Sequence, residues 1–107
     1  MGLFDSIVEK FQQAGLETQS AQMDAESWDP EMICRKLQRT SSIAKCSGYT
    51  KALRAKCREL SDYHLKEVFD EAYDRRNAKA CNAMMVVMEE RDLAYKDDDG
   101  RIVRKYH

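Results

Sequence analysis

Residues 78–91 read AKACNAMMVVMEER, and the five successive apolar residues at 84–88 decide what kind of molecule this is. A helix lying on a surface needs only one apolar stripe, and MMVVM exceeds it. Cys81, Met84, Met85 and Met88 follow the 3.6-residue period of a helix, with Val86 and Val87 filling the faces between. Such a helix is either central to the fold or partly turned toward a partner, and Met85 and Val86 are the residues assigned here to partner contact. Methionine is flexible and polarizable, which suits an adaptable surface as well as a core.

Upstream, Ser61 offers a cap to a helix whose inner face is Leu65, Val68, Phe69, Ala72 and Tyr73, closed by RRN at 75–77. Before it, Ile43, Cys46, Thr50, Leu53, Cys57 and Leu60 recur at alternating steps of three and four, the seam of a packed helix. RTSS at 39–42 supplies hydroxyl caps for that helix. The helix before it opens at WDPEM, residues 28–32: Asp29 is placed to accept from free amides, Pro30 stands at the first helical position, and Met32, Ile33 and Leu37 turn inward. A shift of 33 residues matches Asp29 to Asp62, Met32 to Leu65, Arg58 to Arg91 and Leu60 to Leu93. Both halves thus read as cap, helix, short turn, helix, and two such hairpins close as a small four-helix bundle over residues 28–93.

Downstream, LAYKDDDGRIVRKY sets Gly100 after three Asp residues, between short stretches holding Tyr95 and Ile102, Val103 and Tyr106. Asp-Gly supplies the positive φ of a tight turn, so residues 94–107 are expected to form a short β-hairpin and tail. At the other end, Leu3, Phe4, Ile7, Val8 and Phe11 fall on one helical stripe, with Asp5, Ser6, Glu9, Lys10, Gln12 and Gln13 opposite. Gly15 is expected to end this arm of residues 1–15. The stretch 16–27, in which only Leu16 and Met23 are sizeable apolar residues, reads as a polar linker. The fold class is therefore all-α, with an N-terminal amphipathic helix in front of the bundle and a hairpin behind it.

Composition agrees. A single Pro and four Gly in 107 residues leave regular helix uninterrupted, and a chain of this length makes one domain with little room for a buried active site. Four cysteines at 34, 46, 57 and 81 show no C-x-x-C spacing, so no metal and no cofactor is expected. Cys46 and Cys57 on a core seam behave as small hydrophobes, which, with His64 near Asp62 and His107 at the last position, gives no nucleophile with an oriented base. No catalytic residue is assigned. The acidic run 97–99 lacks the alternating ligand positions and closing glutamate of a calcium loop, and reads as a solvated turn. With no eighteen-residue apolar run and no basic leader, the expected setting is cytoplasmic, with reduced thiols.

A net charge of −1 hides a segregation. Residues 1–27 carry one Lys against five acids, residues 28–60 carry eight Lys or Arg against three, and residues 61–92 carry five against eight. Arg35, Lys36, Arg39, Lys45, Lys51 and Arg54 are thereby candidates for binding phosphate or nucleic acid, with Lys56 and Arg58 beyond them. The competing expectation is that these cations pair with Glu67, Asp70, Glu71 and Asp74 of the same molecule.

The opening GLFDSIVEKF resembles the first residues of short frog-skin amphipathic peptides, and MGLFD with DPEM is similar to the start of the phage-shock family of membrane-remodelling proteins. Both likenesses stop within the first third of the chain. The long unbroken helical hairpin that the family would imply conflicts with breaks near residues 40, 60 and 77, and no family is assigned. Met1, Gly2 and Ser6 also fit the N-myristoylation pattern. The polar face of the arm carries Asp5 and Glu9 against Lys10 alone, so membrane attachment through residues 2–14 would gain nothing from charge. The leading expectation is a non-enzymatic interaction or adaptor module that binds another protein or its own copy through Leu3, Phe4, Ile7, Val8, Phe11, Met85 and Val86, with no small-molecule substrate. Nucleic-acid binding and membrane attachment are the alternatives.

Overall fold

The computed structural model describes residues 15–107, and the apolar stripe Leu3, Phe4, Ile7, Val8 and Phe11 lies outside the described residues. Five helices are followed by an antiparallel hairpin: α1 over residues 15–25, α2 Pro30–Arg39, α3 Ile43–Glu59, α4 Asp62–Asp74, α5 Ala78–Glu90, β1 Ala94–Lys96 and β2 Ile102–Arg104. The expectation of a mostly helical chain with a small hairpin holds among the described residues. None of these helices is long and apolar enough to cross a membrane.

Helix α5 is the axis of the packing and touches α2, α3, α4 and β1. Its sequence explains why: Cys81, Met84, Met85, Val87 and Met88 are all buried, on more of the circumference than one stripe allows. Around it, Ile33 and Leu37 of α2, Leu53 and Cys57 of α3, and Leu65 and Phe69 of α4 are fully buried. Met85 therefore fills the core at 3% exposure and is not available to a partner, a correction to the sequence reading; Val86 beside it stays on the surface.

The helix starts follow their caps. Ser42 and Ser61 accept hydrogen bonds from the amides of Lys45 and His64, as their hydroxyls suggested, and Pro30 occupies the first turn of α2. Asp29 is the N-cap of α2, but its side chain accepts no capping hydrogen bond, against expectation. Asn77, read from the sequence as the end of α4, is instead the cap of α5: its Oδ1 accepts from the Ala80 amide at 3.2 Å, and its Nδ2 donates to the Cys34 carbonyl at 2.7 Å. This buried amide joins the start of α5 to α2.

Helices α4 and α5 end alike. The amide of Asn77 donates to the Ala72 carbonyl at 2.9 Å and that of Arg76 to Tyr73 at 3.0 Å, while Leu93 donates to Met88 at 2.9 Å and Asp92 to Glu89 at 3.0 Å. Each is a Schellman closure, and its left-handed residue is not glycine: Arg76 has φ 56° and Asp92 has φ 58°.

The hairpin pairs Ala94 with Arg104, Tyr95 with Val103 and Lys96 with Ile102. Gly100, at φ 81°, supplies the turn, and Asp97 Oδ1 accepts from the amides of Asp99 at 3.0 Å and Arg101 at 2.8 Å. The carboxylate that might have begun a cation loop is thus engaged in the turn itself. Because two strands alone are marginal in water, the hairpin is anchored. Ala94 is buried against the core, and Asp70 of α4 accepts from Arg104 Nη1 at 3.0 Å and from Tyr106 Oη at 2.7 Å.

Three local readings differ in the structure. Residues 16–27, expected to be a polar tether, are helical as far as residue 25, and Gly15 is itself helical. The signal was missed because the inward residues, Ala21 and Ala25, are too small to register as a hydrophobic stripe although they stand four apart. On α3 the buried face is Gly48, Tyr49, Ala52, Leu53 and Cys57, and the expected seam residue Ile43 points into solvent. Similarly Tyr73, placed on the inner face of α4, lies at its exposed edge.

Candidate interaction surfaces

The seating of α1 begins with what is absent at position 48. A Cβ on Gly48 would collide with the Thr18 carbonyl and come within 2.8 Å of Ala21 Cβ and 2.9 Å of the Gln22 amide nitrogen. Glycine is therefore required for α1 to lie directly on α3. A crevice further along is lined by Gln22 and Glu26 on one side and Ala52, Ala55, Lys56 and Glu59 on the other, so the two helices run side by side in the same direction. Near the joint, the rings of Trp28 and Tyr49 meet at 5.3 Å between centroids, and Lys36 Nζ lies 5.6 Å from the Trp28 ring.

Helix α1 consequently has two unlike faces. The inner one buries Ala21, which sits on Gly48, and Ala25; the outer one leaves Leu16 65% and Met23 63% exposed. These two, seven residues apart and thus on one face, border a shallow open hollow of about 380 Å³ together with Gln19, Ser20 and Asp24.

At the start of α3, Ile43 is 88% exposed, the most exposed of the large hydrophobic residues described. Arg39 ends α2 just before it and Lys45 follows it, while Lys79 of α5 reaches over to donate to the Thr40 carbonyl at 2.6 Å. Helix α3 has no acidic residue in its first turn, so this corner is cationic around an apolar centre.

The sequence-predicted basic set divides. Arg54 is turned inward, with Nε donating to the Ala83 carbonyl at 2.9 Å. Lys36 lies against Trp28, and Arg35, Arg39, Lys45 and Lys51 make no ion pair with the described residues. Among the described residues, acids expected to neutralise them pair elsewhere: Asp70 with Arg104, Glu71 with Arg75 of its own helix, and Glu67 with the Tyr63 hydroxyl. Arg58, at the end of the predicted basic segment, pairs with Glu90 at 3.1 Å, and Arg91, outside that segment, holds Asp62 while donating to the carbonyls of Cys57 and Arg58 at the end of α3.

A second concavity, a cleft of about 510 Å³, opens where the end of α4, the start of α5 and β2 meet, with Tyr73, Arg76, Cys81, Asn82 and Ile102 on its walls. The Arg104 guanidinium covers the Tyr73 ring at 4.2 Å. The Cys81 thiol is no nucleophile at neutral pH, since burial pushes its pKa up to about 11, the nearby Arg104 charge offsetting this only in part. Cys34 and Cys57 are likewise held up at about 12 by burial. Among the described residues no group of three or more His, Cys, Asp or Glu is placed to hold a metal ion. His64 Nε2 lies 3.2 Å from Glu31 Oε1 and ties α4 to α2.

No family model, no curated protein and no solved structure matches the chain.

Proposed function

We propose that this protein is a small, non-enzymatic interaction module of the cytoplasm, built as a closed four-helix bundle of α2–α5 that carries α1 as its contact element. It binds another protein or its own copy. The observation that carries the reading is the inversion of α1, with Ala21 inward on Gly48, Ala25 also inward, and Leu16 and Met23 outward. Exposing two long apolar side chains on one face of a docked helix costs solvation free energy, which a covering partner recovers. In this reading Leu3, Phe4, Ile7, Val8 and Phe11 extend the contact surface along the chain, and Val86 lies outside it. The unreactive buried thiols support a binding role over a chemical one.

The test is the double variant Leu16→Ser, Met23→Ser. It should lose association, scored as self-association by sedimentation or as protein adducts from a photo-crosslinking residue at position 16, while its circular dichroism and melting curve match the parent. A residue 16 that yields no adducts, in a chain that stays monomeric, rejects the reading.

A second reading draws on Arg35, Arg39, Lys45 and Lys51, which lack ion-pair partners among the described residues. A phosphate or nucleic-acid ligand there would be released steeply by salt.

A further inference from the structure

The apolar hollow on α1 and the apolar point at the start of α3 are opposite in shape and in charge. The hollow is edged by Asp24, with Glu17 on the same exposed helix, and α1 carries no cation among its described residues. The corner presents Ile43 in the first turn of α3, with Arg39 at the end of α2 before it, Lys45 two residues after it, and Lys79 reaching the Thr40 carbonyl. Because α1 and α3 run in the same direction, Leu16 in the first described turn of α1 and Ile43 in the first turn of α3 lie toward one end of the pair. A two-fold axis at that end brings the corner of each copy to the hollow of the other, the reciprocal contact that a closed dimer requires.

We infer that the occupant of the α1 hollow is a second copy of this chain: Ile43 seats between Leu16 and Met23 of the other copy, and Arg39 and Lys45 face its Glu17 and Asp24. This rests on the reading of α1 as the contact element and names its partner. The apolar centre supplies burial, and the surrounding charges set orientation and discriminate against wrong pairings. An ion-paired rim also makes the dimer weaken as salt rises, since charges near a surface are screened within about 10 Å at 0.1 M.

The experiment uses the full chain and two charge-reversed forms. One carries Glu17→Lys and Asp24→Lys, so that hollow and corner are both basic; the other carries Arg39→Glu and Lys45→Glu, so that both are acidic. In sedimentation equilibrium the parent should dimerise reversibly, each reversed form alone should stay monomeric, and an equimolar mixture should recover a dimer of one copy of each. Ile43→Ser should weaken the parent dimer by about tenfold or more, as expected for uncovering one large aliphatic side chain. Circular dichroism of every variant confirms folding, since all the altered side chains are exposed. A parent that remains monomeric, or a mixture that does, overturns the inference. So does sedimentation of the parent, but not of Ile43→Ser, with vesicles containing anionic lipid, which would make a membrane surface the occupant. If position 16 still yields protein adducts while the mixture stays monomeric, the reading of α1 survives and only the identity of its partner fails.

Discussion

Asn77 shows how much one side chain can hold. Its amide closes the first turn of α5 and reaches across to the Cys34 carbonyl of α2, a buried hydrogen-bonded link between the two helices. Asn77→Ala should cost about 2–3 kcal/mol in urea unfolding, because a cap is lost and a buried carbonyl loses a donor. Asn77→Asp, which keeps the cap and sets a carboxylate against that carbonyl, should not restore the loss. The sequence showed Asn77 only as part of a helix-ending triplet, because a cap's second hydrogen bond depends on which helix comes alongside. The buried thiols were more legible, since Cys57 stood on an apolar period. They make a pH prediction. In the folded state Cys34 and Cys57 ionise near 12 and Cys81 near 11, above the ordinary thiol value of 9, so the folded protein binds more protons than the unfolded chain between those values. Their contribution is fully present below pH 9 and is lost as pH rises toward the folded values, by about 1.4 kcal/mol per thiol for each pH unit. Cys57→Ala should therefore lose less stability than the parent between pH 8 and pH 10 in paired urea titrations, by about 1 kcal/mol.

Among elements, α1 shows where periodicity misleads. A helix whose buried side is alanine produces no hydrophobic stripe, and its two long apolar residues mark the outer face. The same rule misplaced Ile43: a three-four spacing continues beyond the neighbours that bury it, and α3 begins before its cover does. The hairpin was plain because Asp-Gly fixes the turn through local geometry alone. Since α1 rests on small residues, its docking is sensitive to one methyl group. Gly48→Ala should detach α1, lowering helical signal by about three turns, the length of 11 residues, while α2–α5 keep a cooperative unfolding transition. Hydrogen exchange that speeds over residues 18–25 and stays slow in α5 would show this, and unchanged protection in α1 would contradict it.

For the whole molecule, the central position of α5 was readable from MMVVM, but the way the C-terminal hairpin closes against the helices was not. That closure depends on Asp70, which takes Arg104 and Tyr106 from residues 34 and 36 positions later and lies 3.6 Å from His107 Nε2. Burial and the Asp70 hydrogen bond also push the Tyr106 phenol upward in pKa. Asp70→Ala should lower global stability by about 2 kcal/mol, since it leaves the mostly buried Arg104 guanidinium without its carboxylate; a melting temperature equal to the parent's would show that the hairpin holds by apolar contact alone. The charge pattern, too, was visible only as blocks along the chain. Three-dimensional placement separates the cations that brace the fold, such as Arg54 and Arg91, from those left to face outward.

The two Schellman closures carry a consequence for chirality. Arg76 and Asp92 hold a backbone conformation that is native to mirror-image amino acids. A chemically synthesised chain with D-arginine at position 76 would keep the guanidinium and meet no steric penalty there, whereas the same inversion at Met84, inside a right-handed helix, would break it. Handedness at these two corners is set by main-chain hydrogen bonds and tolerated by the side chains.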